Sequence, residues 1–251
     1  MSYIGTTKIG KLFLGTVEIS KAYLGNDLVF KKGGTPLPYT PLSYIETDGV
    51  AYINTNIAGT PAKSAEIKVL PVTGQDSQTF LGSSGSTTDG EGKKFVMFYA
   101  RQLSADNRYH LCGGYYYLIS ASTSPDVNNS VINGTPLIGK TSFKKGAQTI
   151  SAKQEGESSF TSVSKTYSST VSSTLKMYLL AENRNGSVVN KCQSGTRLYY
   201  CKIYSDSTYA TLIFDGVPCL YNGEYGIWDR VSDSFFGNAA NSGAFSGPSN
   251  S

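Results

Sequence analysis

Two carboxylate pairs offer the residue types that hydrolysis of a glycosidic bond requires. A retaining glycosidase uses one carboxylate as nucleophile and one as acid, about 5 Å apart. Glu46 and Asp48 are two residues apart and would face the same side of a strand. Glu155 and Glu157 have the same spacing, but Gly156 between them in a charged context indicates a turn. We therefore expect solvated surface carboxylates at both places.

Nucleophilic catalysis would have to use His110, because it is the only histidine of the chain. Cys112 would share its strand face, but neighbours on one strand stand side by side instead of in catalytic geometry. The sequence contains no Walker loop and no dinucleotide fingerprint after a strand. We expect His110 to be structural, the protein not to be an enzyme, and no cofactor to be bound.

Composition excludes several further classes of function. The chain has 251 residues, of which 39% are hydrophobic and 16% charged, and a formal net charge of +4. So weak and dispersed a charge argues against nucleic acid as a partner. The sequence has neither a signal peptide nor an apolar run of about 18 residues, so we expect synthesis in a bacterial cytoplasm and no membrane insertion.

The four cysteines lack the close pairing that zinc sites use. They occur at Cys112, Cys192, Cys201 and Cys219, with no C-x-x-C pair. A chain made in the cytoplasm starts with reduced thiols. We expect buried free thiols and no metal site.

The first 32 residues contain three ten-residue repeats, at 3–12, 13–22 and 23–32. Each repeat begins aromatic, aliphatic, glycine, which predicts a short strand and a turn. One interpretation is a small meander packed on the main domain, and the other is an anchoring or oligomerisation module. Exposed apolar positions and open strand edges favour association, and fibres usually close such edges by cyclic symmetry, so we expect a trimer. The matching positions are Tyr3, Ile4, Ile9, Phe13, Leu14, Ile19, Tyr23, Leu24 and Val29.

Glycine and proline between residues 33 and 41 predict a linker, which places the main domain at 42–248. Apolar residues in this domain do not recur with a helical period over any long window. They form many short runs separated by turn residues. This pattern predicts an all-β fold, an antiparallel sandwich or jelly roll.

Four segments of the main domain, in order along the chain, resemble the concanavalin A-like or laminin-G-type domain found in prophage and gut-bacterial surface proteins. They are residues 44–57, 179–187, 197–219 and 226–248. The front segment is similar to short modules that precede such domains in virion proteins, here of a gut Bacteroides-type phage. The resemblance implies a jelly-roll sandwich of two sheets whose first and last strands are close together. It also brings the strands of Cys201 and Cys219 into one sandwich, so these are the cysteines most able to approach each other.

The chain departs from related patterns at two positions. Glycoside hydrolases of this fold carry E-x-D-x-x-E on one strand, and Ala51 stands where the second glutamate is required. The family often has aspartate where this chain has Asn54, which removes a charge from any cation site there. Both departures favour a protein without catalysis and without a bound metal.

A lectin-like site needs an aromatic plate for the apolar face of a sugar and polar groups for its hydroxyls. Strand alternation predicts that one residue of each adjacent tyrosine pair points inward. The candidates are the plates Tyr115, Tyr117 and Tyr199 and the polar loop Asn183, Arg184 and Asn185.

These observations predict a non-enzymatic structural protein of a phage virion, a head or tail fibre or a decoration protein. Its lectin-like domain would contact a host surface glycan or other virion proteins, and its front module would bind copies of itself or virion partners. One alternative is a carbohydrate-binding module of a bacterial surface. A second alternative is a glycoside hydrolase of the same fold.

Overall fold

The chain folds as two compact units, Met1–Thr40 and Pro41–Ser251. The computed structural model describes strand residues within 3–31 and residues 37–59, 63–72, 78–85, 94–103, 108–115, 134–144, 147–166 and 174–248. The regular elements of these residues are all strands, and those of the larger unit form sheets that are antiparallel except for one short parallel pairing. The all-β sandwich predicted from the sequence is therefore confirmed.

The described strands of the front unit pair as three short antiparallel hairpins, the third of which begins at Lys21, before the third repeat. Its strands are β1 (Tyr3–Ile4), β2 (Thr7–Lys8), β3 (Phe13–Leu14), β4 (Val17–Glu18), β5 (Lys21–Leu24) and β6 (Asp27–Lys31). They pair as β1–β2, β3–β4 and β5–β6. The sequence predicted one strand per repeat, whereas the structure has two. In the sequence, the dipeptides Gly-Thr, Gly-Thr and Gly-Asn stand between the paired strands.

The strands of the larger unit begin at the boundary between the units. They are β7 (Thr40–Pro41), β8 (Ile45–Thr47), β9 (Ile53–Ala58), β10 (Ser64–Leu70), β11 (Gln78–Ser84), β12 (Lys94–Leu103), β13 (Arg108–Tyr115), β14 (Leu137–Lys144), β15 (Ala147–Gln154), β16 (Thr161–Thr166), β17 (Lys176–Leu179), β18 (Glu182–Arg184), β19 (Ser187–Val189), β20 (Arg197–Tyr204), β21 (Leu212–Tyr221), β22 (Glu224–Asp229), β23 (Ser234–Phe236) and β24 (Phe245–Ser246).

Sheet 1 has the order β16-β15-β14-β10-β20-β21-β22-β23. The first half of β20 also pairs with β8, and β8 pairs with β24. The first and last strands of the domain therefore lie side by side, as the resemblance implied. Asp48 reinforces this junction, because its Oδ2 accepts a hydrogen bond from the backbone N of Ala244 at 2.7 Å.

Sheet 2 has the order β13-β12-β11-β17-β9. Strand β18 pairs with β11 in parallel and with β19 in antiparallel fashion. A buried carboxylate holds this corner together. Glu182 accepts hydrogen bonds from the hydroxyl of Ser84, from Arg184 and from the amide of Asn190.

The two sheets enclose one hydrophobic core. This core forms because side chains alternate between the two faces of each strand. In β10, Ile67 and Val69 are buried while Glu66 and Lys68 face outward. The sheets are in close contact at Gly139 of β14. A Cβ added there would lie 2.8 Å from Leu111 Cδ2 and 3.0 Å from Phe98 Cε1, both of sheet 2. Fully buried residues of the core include Ile67, Phe80, Phe98, Leu111, Leu179, Ile203 and Phe143.

All four cysteines are buried free thiols. Cys201 pairs with Gly216 across β20 and β21, and Cys219 lies three residues further along its strand. That offset is about 10 Å, which exceeds the Cα separation that a disulfide tolerates. Although both cysteines belong to sheet 1, they are not placed to pair, because the register separates them.

Candidate functional site

A bulge in β20 turns two neighbouring tyrosines to the outside of sheet 1. Lys68 of β10 pairs with Tyr200 and Val69 pairs with Leu198, which leaves Tyr199 as an extra residue. Leu198 and Cys201 are buried, while Tyr199 and Tyr200 are both partly exposed. The prediction that one of these two tyrosines points inward is wrong, because the bulge interrupts the alternation.

A row of alternating charges crosses the outer face of sheet 1, the face opposite the core. Strand register places Lys140, Glu66, Lys202 and Asp215 side by side on β14, β10, β20 and β21. Arg230 extends the row by binding Asp215, with Nη2 to Oδ2 at 2.8 Å. We call these five residues the charge row. At the usual strand spacing its four strands span about 14 Å.

The ion pairs of the charge row are partly exposed. Lys140 Nζ lies 3.1 Å from Glu66 Oε2. Lys202, at the centre, makes no ion pair with the residues that the structure describes, and its Nζ lies 5.7 Å from the centroid of the Tyr200 ring. A partly exposed pair such as Lys140–Glu66 contributes about 0–1 kcal/mol to stability. Fold stability is therefore a weak reason for this pair, whereas Asp215 of the other pair is buried.

Aromatic side chains flank the charge row on both sides. Tyr200 donates a hydrogen bond from its hydroxyl to Glu66 at 2.6 Å. The ring of Phe160 lies 5.0 Å from Lys140 Nζ and 5.1 Å from Lys153 Nζ. On the opposite side, the rings of Tyr204 and Tyr209 meet edge to face, with centroids 5.4 Å apart. Such an arrangement offers flat apolar surfaces beside charged hydrogen-bonding groups.

The loop after β20 holds Tyr209 in a strained conformation. Tyr209 has φ of 61°, which bulky residues seldom adopt. Asp206 fixes the loop, because its carboxylate accepts hydrogen bonds from the Thr208 hydroxyl and from the backbone N of Thr208, Ala210 and Thr211. These bonds, that of Thr208 first, hold the pKa of Asp206 below its usual range. Backbone strain of this kind costs of order 1–3 kcal/mol and is concentrated at functional sites.

Tyr199 belongs to a second aromatic group at the β8 end of the same face. Its ring lies 5.9 Å from that of Tyr44, and Lys68 Nζ lies 4.8 Å from the Tyr199 centroid. Arg197 covers the Tyr44 ring at 4.4 Å and donates to Glu46 Oε2 at 2.8 Å. The sequence-predicted plate at Tyr199 therefore lies on the same face as the charge row.

The polar loop predicted at residues 183–185 lies on sheet 2 and is not part of this face. Asn183 is buried, its amide donates to the carbonyl oxygen of Lys176, and its Oδ1 accepts from the backbone N of Gly186. Arg184 binds Glu182 at 3.1 Å. Asn185 is an exposed turn residue with φ of 52°. The structure thus does not bring these three residues together with Tyr199.

Several other predicted residues lie partly or wholly outside the described residues. The backbone of Tyr115 ends β13, and Tyr117 lies outside the described part of the chain. Ile9 and Ile19 of the front repeats lie outside it as well. The other predicted oligomerisation residues lie on strands of the front hairpins, namely Tyr3, Ile4, Phe13, Leu14, Tyr23, Leu24 and Val29.

The carboxylates considered for catalysis make structural contacts. Glu46 binds Arg197, and Asp48 Oδ1 accepts hydrogen bonds from the backbone N of Val50 and Ala51. Partial burial raises the pKa of Asp48, but the backbone hydrogen bonds outweigh it, so the pKa lies below the ordinary value. These hydrogen bonds hold the Asp48 carboxylate as an acceptor within its own loop.

The loop at Glu155 and Glu157 also has a structural explanation. Gly156 lies in the turn predicted from the sequence, with φ of 92°. Glu157 Oε2 accepts a hydrogen bond from the backbone N of Gln154 at 2.8 Å. At Asn54, where the family often has aspartate, the side-chain oxygen accepts a hydrogen bond from the backbone N of Asn56. Within the described residues, no three His, Cys, Asp or Glu side chains converge as a metal site would require.

Sequence reasoning missed the charge row because its members are far apart along the chain. Glu66, Lys140 and Lys202 are each more than sixty residues apart along the chain, and only the strand order brings them together. One signal was available in β20, where Lys202 and Tyr204 alternate with the buried Cys201 and Ile203. That alternation identifies the outward residues of one strand but not the strands beside it.

No protein-family model and no curated protein matches the chain. Among solved structures, full-length tailspike protein 2 from an Escherichia coli O157:H7 bacteriophage aligns with a TM-score of 0.45 and 13% identity over 66% of this chain and 25% of that chain. The enzymatically active domain of tailspike protein 2 from bacteriophage CBA120 aligns with a TM-score of 0.42 and 15% identity, over 62% and 24% of the two chains. Scytalido-glutamic peptidase aligns with a TM-score of 0.39 and 14% identity, over 80% of this chain and 100% of that chain.

This chain spans about a quarter of the length of the tailspike chains with which it aligns. At these TM-scores the likenesses carry no argument about function. No helix among the described residues is both long and apolar enough to cross a membrane.

Proposed function

We propose that the chain is a non-enzymatic glycan-binding protein of a phage virion, and that the outer face of sheet 1 is its binding surface. The observation that carries the proposal is the charge row with aromatic rings on both sides. A sugar has an apolar face that stacks on aromatic rings and hydroxyls that bind charged and polar groups. The sequence resemblance to lectin-like domains of virion proteins supports the same function.

The proposal excludes hydrolysis because the nearest carboxylate pair is already committed. Glu46 binds an arginine, and Asp48 binds backbone N–H groups of its own loop and of the last strand. Neither carboxylate is positioned as a free acid opposite a nucleophile. The sandwich would therefore hold a glycan without cleaving it.

The front unit would attach this binding domain to other chains. A two-stranded hairpin alone is marginal in water, and each repeat forms only one. Copies of the front unit that associate would share the apolar residues at the matching repeat positions and cover open strand edges. A trimer on the virion is the arrangement that we propose.

Binding to a panel of bacterial surface polysaccharides tests the glycan function. Tyr200→Ala and Tyr204→Ala each remove a ring beside the charge row and should weaken binding at least tenfold. Tyr178→Ala is the matched control, because it removes a partly exposed ring, stacked on Tyr52 at 4.7 Å, from sheet 2. Equal binding by all three variants, or shortening of the bound glycan with time, would contradict the proposal.

The rival assignment to a bacterial surface module makes a different prediction about location. Mass spectrometry of purified virions should find the chain at a fixed copy number if it is a virion protein. Its presence only in the envelope fraction of uninfected bacteria would favour the rival.

A further inference from the structure

We infer that the glycan bound by this face is acidic, and that Lys202 receives the carboxylate of one of its sugar units. The inference rests on the proposed glycan-binding function and names the chemical class of its ligand. It follows from the charges of the outer face and from how each of them is paired.

Lys202 is the cation of the charge row that remains available. Lys140 is paired with Glu66, and Arg230 is paired with Asp215. Lys202 lies between Glu66 and Asp215 in the strand register, yet makes no ion pair with either. A carboxylate from a ligand would therefore find an ammonium group that forms no ion pair with a described carboxylate, although Glu66 and Asp215 stand on the neighbouring strands.

The surroundings of Lys202 favour an anion over a neutral group. The outer face also carries Lys68 and Lys153, and Lys153 forms no ion pair with the described residues, since its Nζ donates its hydrogen bond to the backbone oxygen of Glu157. Lys68 binds Glu155, whose side chain is 49% exposed. An exposed anion holds its lysine loosely, since solvent screens the pair. An acidic chain could displace Glu155 and gain a second cation.

The aromatic rings place a sugar unit at the right distance from Lys202. Tyr200 and Tyr204 are two positions from Lys202 on the same face of β20, which corresponds to about 6–7 Å along the strand. A sugar ring stacked on either tyrosine brings a substituent carboxylate within reach of Nζ. The hydrogen bond of Tyr200 to Glu66 and the packing of Tyr204 against Tyr209 fix the two rings. Lys202 thus determines charge specificity, while the rings supply stacking.

Calorimetry with matched ligands tests the inference on the full-length protein. The probes are oligogalacturonate, oligoalginate and hyaluronan oligosaccharides, each compared with its methyl-esterified, uncharged form. At least one acidic probe should bind, and its esterified form should bind at least tenfold more weakly. Affinity for the acidic probe should also fall as salt rises, because screening weakens an exposed ion pair.

Two variants separate the role of Lys202 from net charge. Lys202→Gln should weaken binding of the acidic probe about tenfold, as expected for loss of one charge-assisted hydrogen bond, and should abolish most of the preference over the ester. Lys176→Gln makes the same change of charge on an exposed residue of sheet 2 and should bind like the unmodified protein. Near-ultraviolet circular dichroism checks that both variants fold.

The outcomes distinguish failure of this inference from failure of the proposed function. Equal binding of charged and esterified probes, or unchanged binding by Lys202→Gln, overturns the acidic ligand and leaves glycan binding intact. No binding of any charged or neutral probe overturns both. If Lys202→Gln changes the oligomeric state and not glycan affinity, the face contacts another protein chain, and the inference is wrong.

Discussion

Buried ionisable side chains make the stability of the sandwich sensitive to alkaline pH. Burial raises the pKa of the Cys219 thiol from 9.0 to about 12 and that of Tyr209 from 10.0 to about 12. Both groups are neutral in the folded chain over a range in which the unfolded chain would release their protons. Their contribution to stability is complete below the unfolded pKa and is lost as pH rises toward the folded pKa.

We expect the free energy of unfolding to decline between about pH 9.5 and 11, and the decline to be shallower in Cys219→Ala. Removal of one such thiol should reduce the slope by up to about 1.4 kcal/mol per pH unit. Urea unfolding at several pH values measures it. Ile203→Val is the control, since it removes buried volume without removing a titrating group and should shift the curve without changing its slope. Parallel curves for Cys219→Ala and the unmodified protein would contradict the expectation.

Single residues were predictable from the sequence where alternation holds and not where it breaks. Ile53 and Thr55 are buried while Tyr52 and Asn54 are partly exposed, as simple period-two alternation requires. The outward orientation of both Tyr199 and Tyr200 could not be predicted from alternation, because the extra residue in β20 has no signature in the local sequence. Its cause lies in pairing with β10, a strand more than a hundred residues earlier in the chain.

The packing of strand β14 against β12 and β13 depends on how closely the two sheets approach each other at Gly139. This residue faces the core, and side chains of Phe98 and Leu111 fill the space where its Cβ would be. Both neighbours are fully buried, so neither can move without displacing others. The absence of a side chain on β14 is therefore what allows β12 and β13 to pack there.

Gly139→Ala should destabilise the protein by about 1–3 kcal/mol through overpacking, even though alanine restricts the unfolded chain more than glycine does. Urea unfolding provides the measurement. Ser162→Thr adds a methyl group at an exposed position of β16 and should change stability by less than about 0.5 kcal/mol. If Gly139→Ala is as stable as the control, the sheets are not in close contact at this point.

At the level of the whole molecule, the sequence predicted the fold class. Short apolar runs and turn residues were sufficient for an all-β sandwich, because strand periodicity is a local property. The binding face could not be predicted, since it is assembled from strands that neighbour each other only after folding. For the same reason the sequence could not show that two of its candidates for a sugar site, the loop at 183–185 and Tyr199, belong to different sheets.

The front unit leads to a prediction about assembly. By light scattering at tens of micromolar, the full-length chain should be a multimer, and a chain beginning at Leu42 should be a monomer. Leu14→Asp combined with Leu24→Asp should also dissociate the multimer, because charge at matching repeat positions opposes apolar association. Circular dichroism confirms that the shortened chain keeps its strands. A monomeric full-length chain would contradict assembly through the front unit.

The most direct test of the binding face is hydrogen–deuterium exchange of the full-length protein with and without a bound acidic oligosaccharide. We predict that protection increases in β10, β14 and β20 and in the loop at residues 205–211, which together carry Lys140, Glu66, Lys202 and Tyr209. Protection confined to residues 182–189 and to β13 would instead place the ligand at the polar loop and the Tyr115 strand. That result would contradict the assignment of the outer face of sheet 1 as the binding surface.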